Sequence, residues 1–429
     1  MVKPSRGFIL SVAGAIAWLA LSALLARPWV RQAALSLPLG YTVWVVAGIA
    51  LLPGYLMCAM FLSNSLYQAP PAPVHGSCLQ PVTVLVCARN EAKSIYTTLG
   101  SIASQRYGGP ICILCVDNGS SDQTWDEMSR AAADFQGPGR TIRLLFCPTP
   151  GKTYALNQGL EHIQTPYFLT VDGDTQLKST AVAALMDKMV SGKAACVAGN
   201  LLVAQTNTWV QKMQLYDYLL AIAAVKRYQG SYGATLVAQG ALSAYETQAV
   251  RAVGGWTQGV GEDIVLTYRL LASGRKSLYQ PLAVGYTQVP ATLKALCSQR
   301  SRWAQGLFEG LRAVKPWQQP SLYGGYFQAL SLSVVYLDLA YVFGFLAGVA
   351  LALAGLPYFV GWLTLLLLPG VLVTLAGTYR FQKHIPMVSF HNSWTGFFGF
   401  LLLFQPIQSI CSLWGYARAL TGRAPAWKQ

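Results

Sequence analysis

"YFLTVDGDTQ", residues 167–176, decides how this chain is read. An apolar run ends in two carboxylates, Asp172 and Asp174, with Gly173 between them. A run of this length suits a strand buried on both faces, as in a parallel sheet. Alternate residues of an extended chain project to the same side, so the two carboxylates sit together at the strand's carboxyl end. Open α/β sheets bind ligands at that end. Two bare carboxylates repel each other unless something positive lies between them. A hard divalent cation with oxygen ligands answers that need, and a diphosphate would complete its shell. A surface turn rich in Asp and Gly would carry the same letters, so the flanking sequence has to decide.

Upstream, "PVTVLVCARNEAKSIYTTLGSI" (81–102) reads as a buried strand, a polar loop and a helix. "ICILCVDNGSSDQTWDEMSRAAA" (111–133) repeats that grammar. Asp117 ends its strand, and Ser120, Ser121 and Asp122 offer helix caps. A third strand follows at 141–147, a helix starts within 151–160, and 166–172 is the fourth strand. This alternation predicts right-handed crossovers and a mostly parallel sheet, an α/β fold. No GxGxxG follows the first strand. Gly151-Lys152-Thr153 looks like the end of a phosphate-binding P-loop, but Phe146 stands where that motif needs glycine, which disfavours a P-loop ATPase. What remains is Asp117, Asp172 and Asp174 at strand ends. Lys152, at a helix start, adds a cation to the same rim unless it is a solvated surface lysine.

The chain is 53% hydrophobic and only 11% charged, against roughly 25% charged in soluble domains. Residues 8–26 and 41–62 carry no charge and match the roughly 20 residues that cross a bilayer. The first is long for a signal peptide and a second run follows closely, so a membrane anchor is expected. Residues 327–354, 357–377 and 394–416 are also strongly apolar; Pro406 is expected to bend the last or lay it in the interface. The expected organisation is two transmembrane helices in 1–62, a cytosolic domain over 63–290, amphipathic interface helices over 291–323, and about three transmembrane helices with a short tail over 324–429.

The net charge of +15 comes without a Lys/Arg-rich tract, which disfavours nucleic acid as a partner. Basic residues flanking apolar segments explain it better. Lys3 and Arg6 precede the first segment, and Lys294, Arg300, Arg302, Arg312 and Lys315 precede the third. Arg380, Lys383 and His384 are expected in the loop after the fourth. These favour a cytoplasmic N-terminus, with Arg27 and Arg31 arguing the other way. An odd number of helices would then put Arg418, Arg423 and Lys428 outside. Nine cysteines are scattered, and Cys112 and Cys115 fall inside a strand without a second pair. Buried, reduced thiols of a cytosolic domain are expected.

"VGEDIVLTYRLLASGRK" (260–276) has a helical rhythm after Gly261. Glu262 and Asp263 suit its first turn, where the helix dipole favours negative charge. A sharper reading makes one of them a general base for a hydroxyl nucleophile. Adjacent helical residues point about 100° apart, so only one is expected to face the site. In "QRSRW" (299–303), Gln299, Arg302 and Trp303 share one helical face. Arg can clasp phosphate and Trp offers a platform for a sugar ring. Both are also ordinary membrane-interface anchors.

In their order, "VDNGSSD", "GKTYALNQG", "VDGDTQ", "QGALSAYE", "GED" and "QRSRW" resemble the membrane-embedded family 2 glycosyltransferases, which include cellulose, chitin and hyaluronan synthases. The bacterial poly-beta-1,6-N-acetylglucosamine synthases are the most similar in helix layout. The resemblance implies a GT-A type nucleotide-sugar-binding domain. By it, Asp117 contacts the nucleotide, Asn90 and Glu91 lie near the base, and Lys152 lies beside the diphosphate. Asp172 and Asp174 take the DxD role, Asp174 chiefly holding Mg²⁺ or Mn²⁺. Gly240 borders the acceptor sugar, Asp263 is the catalytic base supported by Glu262, and Gln299, Arg302 and Trp303 close the site. Gly261 departs from the Thr of many relatives, and the start of "QGALSAYE" departs from a more usual Ser-Gly.

The implied function is a processive, inverting transferase at the bacterial plasma membrane. It would polymerise a UDP-sugar, UDP-N-acetylglucosamine, onto a growing polysaccharide and pass the polymer through the bilayer. Asp338, an acid inside an apolar segment, is expected to line that passage or to sit at the membrane edge. No regulatory domain fits after residue 416, so second-messenger control is expected to need a small membrane partner subunit. A non-processive transferase acting on a lipid and a synthase of another polymer remain as alternatives. A transporter is disfavoured by the absence of an internal repeat.

Overall fold

Strand β4 (Tyr167–Asp172) is buried through Phe168, Leu169 and Val171. Phe168 points to one side of the sheet, stacking on Tyr245 with ring centroids 5.3 Å apart. Leu169 and Val171 enter the cluster on the other side. Both faces are thus covered, as the unbroken apolar run requires. The structure, a computed structural model, describes residues 5–66, 76–359, 367–385, 388 and 392–421. Lys3, Arg423, Lys428 and residues 360–366 of the expected fourth span lie outside the described residues.

Among those residues β4 belongs to an eight-stranded sheet of order β3-β2-β1-β4-β7-β6-β8-β5. The strands β1 (Val82–Ala88), β2 (Ile111–Asp117) and β3 (Arg140–Phe146) run parallel to β4. Beyond β4, β7 (Leu242–Glu246) is antiparallel to both its neighbours, while β6 (Cys196–Val203) and β8 (Ser277–Thr287) pair in parallel. The short β5 (Gln176–Leu177) closes the edge antiparallel to β8. The sheet is mixed and mostly parallel, as expected. Cys87 pairs with Asp172 and Ala88 with Asp117, so both carboxylates end strands that flank β1.

Among the described residues four helices are long and apolar enough to cross a membrane: Arg6–Ala33, Leu39–Leu66, Leu322–Leu353 and Trp394–Thr421. The last runs unbroken through Pro406, because a π-helical turn at Phe400–Phe404 precedes it; such turns absorb irregularity within a helix. The helix Leu367–Lys383 carries Arg380 and Lys383 in its last turn, rather than in the loop where sequence put them.

The helix Leu293–Ala313, which holds QRSRW, is clamped between the sheet domain and the last apolar helix. Arg300 is buried, donating to Asp217 Oδ2 at 2.6 Å and to Gln408 Oε1 at 3.4 Å. Its guanidinium also lies over the rings of Trp303 and Phe404. Gly415 permits close approach, since a Cβ there would stand 2.2 Å from the Ser301 carbonyl oxygen. Cys297 and Cys411 are joined as a disulfide across the same contact, which corrects the expectation of reduced thiols for this pair; the other seven cysteines are free. Asp338 is fully buried. It accepts from Ser409 Oγ at 2.7 Å and Tyr416 Oη at 2.6 Å, tying two apolar helices together.

Removing one partner of a buried ion pair strands the other charge, at about 3–5 kcal/mol. Arg300→Met is therefore expected to lower the melting temperature of the detergent-solubilised protein sharply. The double variant Asp217→Leu/Arg300→Met should recover most of that loss.

Candidate active site

The site begins where Gly151, at φ 134°, turns the chain into the helix Lys152–His162. Asn118, just past β2, holds this turn: its Oδ1 accepts from Gly151 N at 2.7 Å and its Nδ2 donates to Thr149 O at 2.7 Å. Lys152 is thereby delivered to the end of β4. Its Nζ lies 2.6 Å from Asp172 Oδ1 and 3.9 Å from Glu262 Oε1. Gly240 makes room for it, because a Cβ there would stand 3.1 Å from Nζ. Burial opposes the Lys152 charge, but Asp172, Glu262 and Asp263 outweigh it and hold the ammonium above the usual lysine range.

A cleft of about 190 Å³ opens here, lined by Arg89, Glu91, Asn118, Lys152, Asp172 and Asp174 among others. Burial, then Asp172 and Glu91, push Asp174 up to about 7. Burial pushes Glu262 up to about 7 against the pull of Lys152. Asp263 is raised as well, by burial, with Lys152 opposing. Both members of the Glu-Asp pair thus lie in the field of Lys152, and Glu262 Oε1 comes within 3.9 Å of it.

Among the described residues no group of three or more His, Cys, Asp or Glu side chains could hold a metal by itself. The pair Asp172 and Asp174 still fits a hard cation that shares its shell with phosphate oxygens, since one or two carboxylates suffice there. Asp172 commits one oxygen to Lys152, and Asp174 has only two long hydroxyl contacts, from Thr175 and Thr287 at 3.3 Å each.

The remaining predicted residues are placed less uniformly. Glu91 lines the cleft and accepts from Ser94 Oγ at 2.9 Å. Asn90 sits at φ 57° with its Oδ1 bound to Ser121 N at 2.9 Å, so its side chain braces the loop. Asp117 is buried and holds Ser120, while its neighbour Asn118 lines the cleft. The expected caps serve otherwise: Gln123 is the N-cap, and Asp122 accepts from Ala92 N and Thr124 N. Gly261 packs backbone to backbone on Gly306, a Cβ at 261 standing 2.4 Å from Gly306 Cα. This contact brings the Glu262–Asp263 turn against the QRSRW helix. There Arg302 feels the charge of Glu262, Gln299 Oε1 is buried with no hydrogen-bond partner among the described residues, and Trp303 is exposed beneath Arg300. Sequence reasoning missed Arg89, Asn118 and Lys226. Lys226 is buried, which pushes its ammonium down to about 7, with Asp263 opposing.

The family described as "Glycosyltransferase like family 2" matches residues 80–306, more than half of the chain. The chain belongs to this family. It is a glycosyltransferase with a GT-A-like fold. The poly-beta-1,6-N-acetyl-D-glucosamine synthase of Staphylococcus aureus (strain COL) is 29% identical over 308 residues, 70% of this chain and 71% of that protein. The synthase of the same name from Staphylococcus epidermidis is 28% identical over 235 residues, 54% and 56% of the two chains. The solved mannosyltransferase PcManGT from Pyrobaculum calidifontis, in complex with GDP-Man and Mn²⁺, superposes with a TM-score of 0.63. It is 19% identical, covering 90% of this chain and 99% of its own, and shares the fold.

Lys152→Met removes the cation that balances Asp172 and Glu262. Charge-assisted hydrogen bonds are worth about 1.5–3 kcal/mol, so binding of the donor's nucleoside diphosphate, followed by calorimetry, should weaken about 10- to 100-fold.

Proposed function

We propose that this membrane glycosyltransferase is a processive, inverting polysaccharide synthase using UDP-N-acetylglucosamine. The observation that carries the reading is a cleft lined by Lys152, Asp172 and Asp174, with Glu262 Oε1 3.9 Å from Lys152 Nζ and the Glu262–Asp263 turn packed through Gly261 on the QRSRW helix. The likeness to poly-beta-1,6-N-acetyl-D-glucosamine synthases supports the choice of sugar. The nucleotide-sugar donor would lie at the carboxyl edge of the sheet, its nucleotide over Glu91 and the loop braced by Asn90 and Asp117. Lys152 and Arg302 would hold the diphosphate. Asp174 and Asp172 would hold Mg²⁺ or Mn²⁺, which when bound offsets charge on the departing diphosphate.

Asp263 would take the proton of the acceptor hydroxyl, with Glu262 supporting it. Burial keeps that carboxylate poorly solvated and so a better base than a free aspartate. Attack in line from the opposite face inverts the anomeric centre. Gly240, Gln299 and Trp303 would border the acceptor chain. The apolar helices, the last of them packed directly on the QRSRW helix, would give the growing polymer a path from the cytosol through the plasma membrane.

Purified protein supplied with labelled UDP-N-acetylglucosamine should yield a ladder of products; a single lipid-linked sugar would overturn processivity. UDP-glucose in parallel tests the sugar. Asp263→Asn should cut turnover by at least about 100-fold, the scale of general-base catalysis, while leaving UDP binding nearly unchanged.

A further inference from the structure

The helix that begins at Glu262 has no side-chain cap of its own, its N-cap being Gly261. Just ahead of its first turn, the N–H groups of Val260 and Gly261 are met by Glu309, from the helix Leu293–Ala313, while Ile264 N donates to Asp263 Oδ1 at 2.8 Å. Glu309 Oε2 accepts from Val260 N and from Gly261 N, both at 3.0 Å. Glu309 Oε1 accepts from Gln305 Nε2 at 3.1 Å. Among the described residues no Lys or Arg lies within salt-bridge distance of this carboxylate. It is committed to backbone, where the dipole of the Glu262 helix favours a negative charge.

The surrounding geometry admits little else. Gly259 has φ 151°, and a Cβ on it would stand 2.3 Å from Glu309 Oε2. Gly261 and Gly306 touch through their backbones. Gly259 and Gly261, on either side of Val260, thus carry no side chain where Glu309 and Gly306 receive them. Two residues after the second of these hydrogen bonds comes Asp263.

We propose that Glu309 is a positioning residue for Asp263: it locks the turn that bears the base onto the helix that carries Gln299, Arg302 and Trp303. The proposal rests on reading Asp263 as the base. A base must stand within hydrogen-bond reach of its proton, and displacement by about 1 Å can cost about 100-fold in rate. Glu309 sets that reach through the backbone without touching substrate.

The test uses the full-length protein with E309A, E309D and E309Q, measuring kcat, donor KM, UDP affinity and melting temperature. E309A and E309D, whose carboxylate is absent or retracted, should lose about tenfold or more in kcat, with KM and UDP affinity within about twofold. E309Q should stay within about threefold of wild type, because an amide oxygen can still accept both N–H groups. Gln305 can turn its amide to meet the new N–H, since its Oε1 has no partner as placed. A purely structural role would lower the melting temperature without this split between kcat and KM and without rescue by glutamine. The proposal is overturned if E309A keeps wild-type kcat, or if E309Q is as impaired as E309A. Should E309A fail to fold, the contrast of E309D with E309Q decides. Asp263→Asn run alongside separates the two readings. If it is inactive while E309A is normal, only the positioning role fails; if it turns over normally, both fail.

Discussion

Lys152 stands amid a cluster of carboxylates, and the site is organised around that contact. Lys152 bonds Asp172 at 2.6 Å and lies 3.9 Å from Glu262, while Asp263 and Asp174 act on the same cluster through the field. These groups come from a helix start, a strand end and a second helix start far apart in sequence. Parallel strands end at a common rim, so the fold gathers them there. Once gathered, they are only partly neutralised. Asp174 responds by holding its proton more tightly than a free aspartate does. A cleft in that condition favours a ligand that brings positive charge with it, and a metal–diphosphate unit does so while using Lys152 on its other flank.

The strand-and-helix grammar was legible because it depends on local periodicity. β1 to β4 fall within a residue or two of the expected bounds, and the apolar run of β4 is buried on both faces. Side-chain direction was not legible. Asp117 ends β2 as expected, yet its oxygens are taken by Ser120, and Asn118 reaches the cleft. Asn118 carries no signal in isolation; its partners, Thr149 and Gly151, follow a whole intervening strand. The Glu262–Asp263 pair shows the same gap. Helical angles say that neighbours diverge, but Lys152 approaches from another element and feels both.

Glycine was the more informative letter in hindsight. Gly261 first registers as a departure from the Thr of many relatives. Its reason is a partner that no local pattern names: Gly306 occupies the space a side chain would need. Gly240 likewise yields to Lys152, and Gly415 to the Ser301 carbonyl. Each marks a backbone approach between distant segments, which appears in a single sequence only as an unexplained small residue. The Cys297–Cys411 link belongs to the same class, two scattered cysteines whose pairing depends on that approach.

The helix Leu293–Ala313 is where these long-range contacts accumulate. On one side Arg300 is buried against Asp217, Gln408 and Phe404, and Gly415 presses the last apolar helix onto Ser301. On the other, Gly306 and Glu309 hold the turn before Asp263. A buried ion pair contributes little net stability compared with apolar packing, so its value lies more in fixing one arrangement. Here the arrangement fixed is the spacing between the last apolar helix and the turn before Asp263, since both are fastened to the same helix. Packed helices shift as units rather than bend. Any displacement of the last apolar helix would therefore be delivered to the turn that precedes Asp263.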